Sequence, residues 1–329
     1  MEKKSLWKTI TGYRETSLLL VLIVLCAVIS IKTPTFLGAQ NIAEILKNNS
    51  VTMILALGML LVLLIGGIDI SIASTLGFSG MTIGMMYKYG VIESTFLGFV
   101  IAILIGLACG LVMGLVIAYG KVAPIIATMG GMYIFRGFAY LVANDEWAGA
   151  EALGTFKDFA LKDILGINVV VWITIICYIA FFIIMKWTKF GRNIYAVGSN
   201  EEAAEISGIN VKKVKTLVYV IMGGLCGLSG ALNTSVYASA QPNMCTSKEM
   251  DVIAACVIGG VSMSGGRGSV VGALIGALIL SVIAKALPLV GIDSLAQNTV
   301  KGVIIIVVII LNVLTQRAMD KSALEKREM

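Results

Sequence analysis

Apolar residues in this chain come in continuous runs, at 17–31, 51–65, 72–87, 95–119, 122–143, 167–185, 216–240, 251–263, 269–284 and 299–315. Runs of this kind predict helices that cross a lipid bilayer, because a barrel strand would alternate apolar and polar positions over shorter stretches. The predicted fold class is an all-α integral membrane protein with about ten transmembrane helices, a single domain over residues 1–329. Several runs fall short of the roughly 20 residues that a straight span needs. Some helices must therefore borrow flanking residues, tilt, or break within the membrane. The mixed segment from Thr33 to Asn49, which contains Pro34, predicts a short interfacial helix. The first run follows Lys3, Lys4, Lys8 and Arg14 and has no small-residue cleavage site before Lys32, which reads as an uncleaved first span.

The longest polar interruption runs from Lys186 to Lys215 and carries Lys186, Lys189, Arg192, Lys212, Lys213 and Lys215. An even number of spans with both termini in the cytoplasm puts this loop, Lys121, Arg267 and the tail's Arg317, Lys321, Lys326 and Arg327 inside. The acidic 144–166 segment, with Asp145, Glu146, Glu151, Asp158 and Asp163, then lies outside. That arrangement obeys the excess of Lys and Arg in cytoplasmic loops, and its inverse does not. Within the loop, Ser199-Asn200-Glu201-Glu202 has the spacing of a capping box. A short helix from about Asn200 to Ser207 is expected, with Gly208 as its left-handed terminator. A helix that short is marginal in water unless it docks on something.

Composition narrows the chemistry. Of the 329 residues, 58% are hydrophobic and only 13% charged, with a mean hydropathy of +0.95, against about a quarter charged in soluble domains. The net charge of +6 comes from residues that flank spans, so topology accounts for it without nucleic acid. There is no histidine, and Cys26, Cys109, Cys177, Cys226, Cys245 and Cys256 include no C-x-x-C pair. Histidine-based hydrolysis, zinc and disulfide frameworks are thereby disfavoured. No G-x-x-x-x-G-K-[ST] motif occurs, and Gly265-Gly266-Arg267-Gly268 lacks the Lys-Ser/Thr of one. The chain is expected to be non-catalytic, to bind no cofactor and to draw any energy from another subunit.

Glycine-centred features carry the remaining signal. Ile65-Gly66-Gly67-Ile68-Asp69-Ile70-Ser71 is echoed by Ile258-Gly259-Gly260-Val261-Ser262-Met263-Ser264, which suggests two related halves. Short, Gly-interrupted segments in corresponding places are expected along a transport pathway. Gly66, Gly67, Asp69, Ser71, Gly259 and Gly260 are the resulting candidates for it. Two placements of Gly66 to Ser71 fit the sequence equally, a break at mid-membrane or a cytoplasmic turn. The repeats Gly106/Gly110/Gly114, Gly80/Gly84 and Gly272/Gly276 read as close helix packing. Arg136 is expected to snorkel to the outer surface or to pair with Asp145 or Glu146, and Lys301 to snorkel likewise.

Glu202-Ala203-Ala204-x-x-x-Gly208 resembles the E-A-A-x-x-x-G signature in the membrane subunits of bacterial ABC importers. The wider run from Gly191 to Val211, the Gly66 to Ser71 stretch and the segment from Ala254 to Gly268 are similar to the monosaccharide branch of that family, which includes ribose, xylose, rhamnose and autoinducer-2 permeases. The resemblance spans nearly the whole chain at consistent spacing. It implies a permease subunit in the bacterial cytoplasmic (inner) membrane, paired with a second permease subunit as a homo- or heterodimer. An extracytoplasmic substrate-binding protein would deliver a monosaccharide or similar solute. A separate ATPase, carrying the ATP and Mg, would grip a coupling helix at Asn200, Glu201, Glu202, Ala203, Ala204 and Gly208. The rival is a self-contained ion-coupled secondary transporter, which should carry several intramembrane carboxylates or histidines. Asp69 is the one deep candidate, with Asp251 at a span edge.

Overall fold

A computed structural model describes residues 14–289 continuously and further residues between 291 and 310. The N-terminal lysines, Lys301, most of the expected last span and the C-terminal tail lie outside the described residues. In chain order the helices are α1 (Arg14–Lys32), α2 (Ala39–Leu64), α3 (Ile72–Lys88), α4 (Thr95–Ala118), α5 (Pro124–Ala143) and α6 (Thr155–Asp158). A 3-10 turn (Phe159–Leu161) and a small hairpin of β1 (Asp163–Ile164) and β2 (Ile167–Asn168) follow. Then come α7 (Val169–Trp187), α8 (Lys189–Ser199), α9 (Glu201–Ile206), α10 (Val211–Tyr237), α11 (Lys248–Ile258) and α12 (Val270–Leu289).

Seven of these helices, α1, α2, α4, α5, α7, α10 and α12, are long and apolar enough to cross a membrane. The expected count of about ten is therefore not reached among the described residues. The runs at 72–87 and 251–263 form α3 and α11, of 17 and 11 residues. At 1.5 Å per residue these cover about 25 and about 16 Å, less than a hydrocarbon core of about 30 Å. The interfacial helix expected between Thr33 and Asn49 is also corrected. Residues 39–49 are the first turns of α2, which runs for 26 residues because no Pro or Gly interrupts it before Gly58.

α2 is the axis of the bundle. Every residue from Ser50 to Leu64 is buried, whichever way it points, as expected of a helix that is hydrophobic all round. In the apolar window of α2, 78% of residues are buried, against 11% in α1. The outer helices α1, α4, α5 and α7 instead present Ile23, Leu104, Tyr133 and Ile176 outward, a surface suited to lipid.

Glycine lets the interior close up. Gly106 and Gly110 of α4 meet the backbone of Gly223, Gly227 and Tyr219 of α10, and Gly114 meets Thr216. Gly272 and Gly276 of α12 lie on Gly259 and Ala255, and Gly80 and Gly84 of α3 on Gly230 and Ala240. The three glycine repeats thus serve close packing, of helix on helix for Gly106, Gly110 and Gly114 and partly of helix on connecting segments for the other two.

The C-terminal ends of α2, α4 and α7 and the start of α10 share one end of the bundle with α8 and α9, hereafter the basic end. The far end is held by Lys88–Glu146 (2.8 Å), Lys285–Glu44 (2.8 Å) and a two-bond bridge between Ala148 and Ala240 (3.1 and 2.9 Å).

Gly106→Leu would drive a side chain into the α10 backbone, whereas Gly130→Leu on α5 points into open space. The first should lower unfolding stability by about 3 kcal/mol or more, at or beyond the upper end of usual overpacking costs, and the second should leave it nearly unchanged. Thermal unfolding of the purified chain in detergent checks both.

Candidate functional site

The basic end displays two helices in place of the single one expected. α8 begins at Thr188, whose hydroxyl accepts from the amide of Gly191 (3.1 Å), and buries Gly191, Ile194 and Val197. The helix expected from about Asn200 is α9, but its cap is not the Ser199 box. Ser199 closes α8, and Asn200 Oδ1 accepts from the amide of Ala203 (2.8 Å). Both residue types cap well, and the extended backbone at Asn200 decides between them. Gly208 terminates the turn as expected, at φ 84°, and its amide donates to Glu205 O (2.9 Å).

Of α9, only Ala204 faces inward. Glu202, Ala203, Glu205 and Gly208 are exposed, and the Ile206 side chain is 88% exposed. Glu201 is tied back to the bundle through Lys215 (2.7 Å).

The pathway candidates are divided among three settings. Gly66 (φ 73°) and Gly67 line a 330 Å³ cavity at the basic end together with Ser199, Glu201, Lys215 and Tyr219. Gly259 and Gly260 line a separate 150 Å³ cavity with Glu15 and Ser269. Asp69 is 4% exposed, and its Oδ1 accepts from the amide (2.9 Å) and hydroxyl (2.6 Å) of Ser71, which starts α3. No basic side chain lies within ion-pair distance of it among the described residues. This carboxylate thus organises the turn between α2 and α3. The Thr128 hydroxyl of α5 donates to Pro124 O (2.8 Å) and lies 3.3 Å from Ile68 O, which brings the same turn against α5.

A cavity of 760 Å³, larger than the two at the glycine turns, opens at the far end and is lined by Asn48, Asn233, Gln241, Thr246, Lys248 and Asp251 among others. None of these is among the sequence candidates for a pathway. Its floor is the irregular segment 238–247, which joins α10 to α11. Asn233 holds that segment by accepting from the Cys245 thiol (3.3 Å).

Arg136 holds it more firmly. The guanidinium donates to Pro242 O (2.6 Å) and Met244 O (3.1 Å), and its other nitrogen to Ala73 O (3.2 Å). Seven residues from the end of α5, it sits about 10 Å inside the helix terminus. The expected snorkelling or pairing with Asp145 or Glu146 is therefore corrected. Arg136 turns inward because non-helical carbonyls at membrane depth need donors. Glu146 pairs instead with Lys88 and accepts from the Tyr89 hydroxyl (2.9 Å). The Lys88 hydrogen bond, with that of Tyr89, holds the exposed Glu146 carboxyl below its ordinary range. What the pair contributes is thus present at neutral pH and lost as pH falls through that lowered value.

The sequence did hold one pointer to this site. Gln241-Pro242-Asn243 is a polar, proline-containing break between the apolar runs at 216–240 and 251–263. Its partner Arg136 is more than 100 residues away, beyond the reach of any local pattern.

Residues 41–312 match the family model described as branched-chain amino acid transport system / permease component. The chain is 38% identical over 301 residues to the ribose import permease protein RbsC of Escherichia coli, covering 91% of this chain and 93% of that protein. It is 39% identical over 298 residues to the RbsC of Bacillus subtilis, with 88% and 90% covered. The L-arabinose ABC transporter permease protein AraH of Azospirillum brasilense is 32% identical over 298 residues, with 91% and 87% covered. No solved structure matches the chain.

Arg136→Met keeps most of the side chain's bulk and removes three hydrogen bonds. It should destabilise the fold by about 3 kcal/mol, because a charged donor is lost and buried carbonyls go unpaired. It should also free the 238–247 segment, seen as faster maleimide labelling of Cys245 located by mass spectrometry, with Arg136→Lys intermediate.

Proposed function

The chain belongs to the family of permease components of the branched-chain amino acid transport type, as a multi-pass protein of the inner membrane, and on that premise we propose that it is the membrane-spanning subunit of an ATP-driven importer for a monosaccharide or similar small polar solute. The observation that carries the proposal is α9. A six-residue helix has too few hydrogen bonds to persist in water, yet this one is capped at both ends and holds Ile206 out from the surface. An apolar side chain so placed suits the groove of a partner protein.

That partner is an ATPase bearing ATP and Mg, engaged through the exposed Asn200, Glu202, Ala203 and Gly208, while Ala204, buried beneath them, and Glu201, tied to Lys215, fix the helix to the bundle. The basic end is then cytoplasmic, which agrees with the bias of Lys and Arg in its loops, and the N-terminus lies on the same side. The relatives named for ribose and arabinose support the solute class. The far-end cavity supports it as well. Amide and hydroxyl groups from Asn48, Asn233, Gln241 and Thr246 can replace the water around a neutral polyol without demanding a charge. We assign this cavity to the outward vestibule, fed by an extracytoplasmic binding protein, and the glycine turns Gly66 to Ser71 and Gly259–Gly260 to the mobile elements that open and close the route. A second permease subunit completes the path.

Uptake into proteoliposomes should require ATP, the cognate ATPase and the binding protein together. Proton- or sodium-driven uptake by this chain alone would overturn the proposal in favour of an ion-coupled transporter. Glu202→Lys and Gly208→Pro should abolish co-purification of the ATPase while membrane insertion is unaffected. Asn233→Leu should retain the ATPase and lower uptake about tenfold, the scale of one net hydrogen bond of about 1.4 kcal/mol.

A further inference from the structure

Three segments far apart in sequence meet at the basic end backbone to backbone. The carbonyl of Leu64, the last residue of α2, accepts the amide of Gly266 (2.9 Å). Gly198, one residue before the end of α8, lies on the same carbonyl. A β-carbon there would overlap Leu64 O and press on the amide of Gly266. Gly265 in turn lies against the carbonyl of Gly198 and the amide of Gly66. Close by, Tyr195 of α8 donates to Gly268 O (2.9 Å).

Residues 65–71 link α2 to α3, and residues 259–269 link α11 to α12. α8 therefore touches the last residue of α2, from which the first interruption leaves, and the second interruption itself at one point, where Gly265 also meets Gly66. The contacts of Gly198 with Leu64 O and the Gly266 amide are backbone to backbone, with the Ser199 hydroxyl beside Gly266, so a change of rotamer cannot absorb a displacement of α8 at Gly198. Slack is also missing upstream, because α8 ends at Ser199 and α9 starts at Glu201 with only the cap Asn200 between them. Freedom to move lies instead within the two interruptions. Gly66, Gly260, Gly265, Gly266 and Gly268 all have positive φ, between 69° and 156°, and glycine crosses such regions at low cost. Stiff elements joined to glycine hinges are the arrangement from which domain closures are built.

We infer that Gly198 is a positioning residue through which displacement of α9 moves both interruptions, residues 65–71 and 259–269, as one unit. This rests on the reading of α9 as the ATPase contact. A larger residue at 198 would wedge Leu64 away from Gly266 and separate the drive from the hinges, while the docking face of α9, on the opposite side of the cap, is unchanged.

Two measurements test it. Amide hydrogen exchange of the full chain in lipid nanodiscs needs no partner. Gly198→Ala should speed exchange about tenfold in both 64–71 and 262–268, with α4 and α10 unaffected. Acceleration in one segment only, or in neither, would overturn the inference. In the complete transporter, the same variant should bind the ATPase normally and hydrolyse ATP, while solute moved per ATP falls about tenfold. An unchanged ratio would overturn it, and a purely structural role would lower assembly and both activities together. If the unaltered chain binds no ATPase, the importer reading fails alone and the exchange data still decide whether the junction exists. Should Gly198→Ala not fold, Tyr195→Phe adds no atoms. It should loosen 262–268 and lower the solute-to-ATP ratio, and no change in either would count against the junction.

Discussion

Water cannot satisfy a peptide group in the hydrocarbon core, so each amide and carbonyl at that depth must find its partner inside the protein. Most of this chain meets the condition with unbroken helix. It departs from it in two regions, around α3 and α11, and each departure has its own remedy. At the start of α3 the Asp69 carboxylate takes up the amide and hydroxyl of Ser71. Ahead of α11 the Arg136 guanidinium gathers carbonyls from residues 242 and 244. The charged side chains inside the bundle are thus explained first by backbone accounting. Their conventional reading as solute or ion ligands is unnecessary for the fold to hold.

The two departures also divide the labour of the molecule. Polar groups collect at the far end, where an irregular segment can line a cavity large enough for a small hydrated solute. Glycines collect at the basic end, where backbones must touch. α2 and α10 run between the two, packed through Gly58 against Met222 and Leu225.

Different parts of this arrangement were legible to different degrees. Continuous apolar runs revealed the long helices, because burial in lipid and burial in protein make the same demand on composition. Hydropathy registers burial in protein and in lipid alike, so it does not separate the enclosed, short α3 and α11 from the seven described helices long enough to cross. The polar start of α2 was hidden for the opposite reason, since Gln40, Asn41, Glu44 and Lys47 look interfacial although the helix runs on through them. α9 was legible to within a residue because caps are local. Arg136 was misjudged because its partners lie in a loop more than 100 residues downstream. The cavity residues were missed for a related reason. Asn48, Asn233 and Lys248 lie on different helices, and only the fold brings them together.

The enclosure of α2 has a consequence for how the protein is made. This helix leaves the ribosome before α10 and α12, which cover much of it and are synthesised some 150 to 250 residues later. In that interval its surface has lipid for company, and it must afterwards exchange that lipid for protein without ever meeting water. Its sequence from Val51 to Ile65 therefore has to satisfy two solvents in succession. A polar substitution there would act twice, hindering insertion of the young chain and then the closing of the finished bundle around its axis.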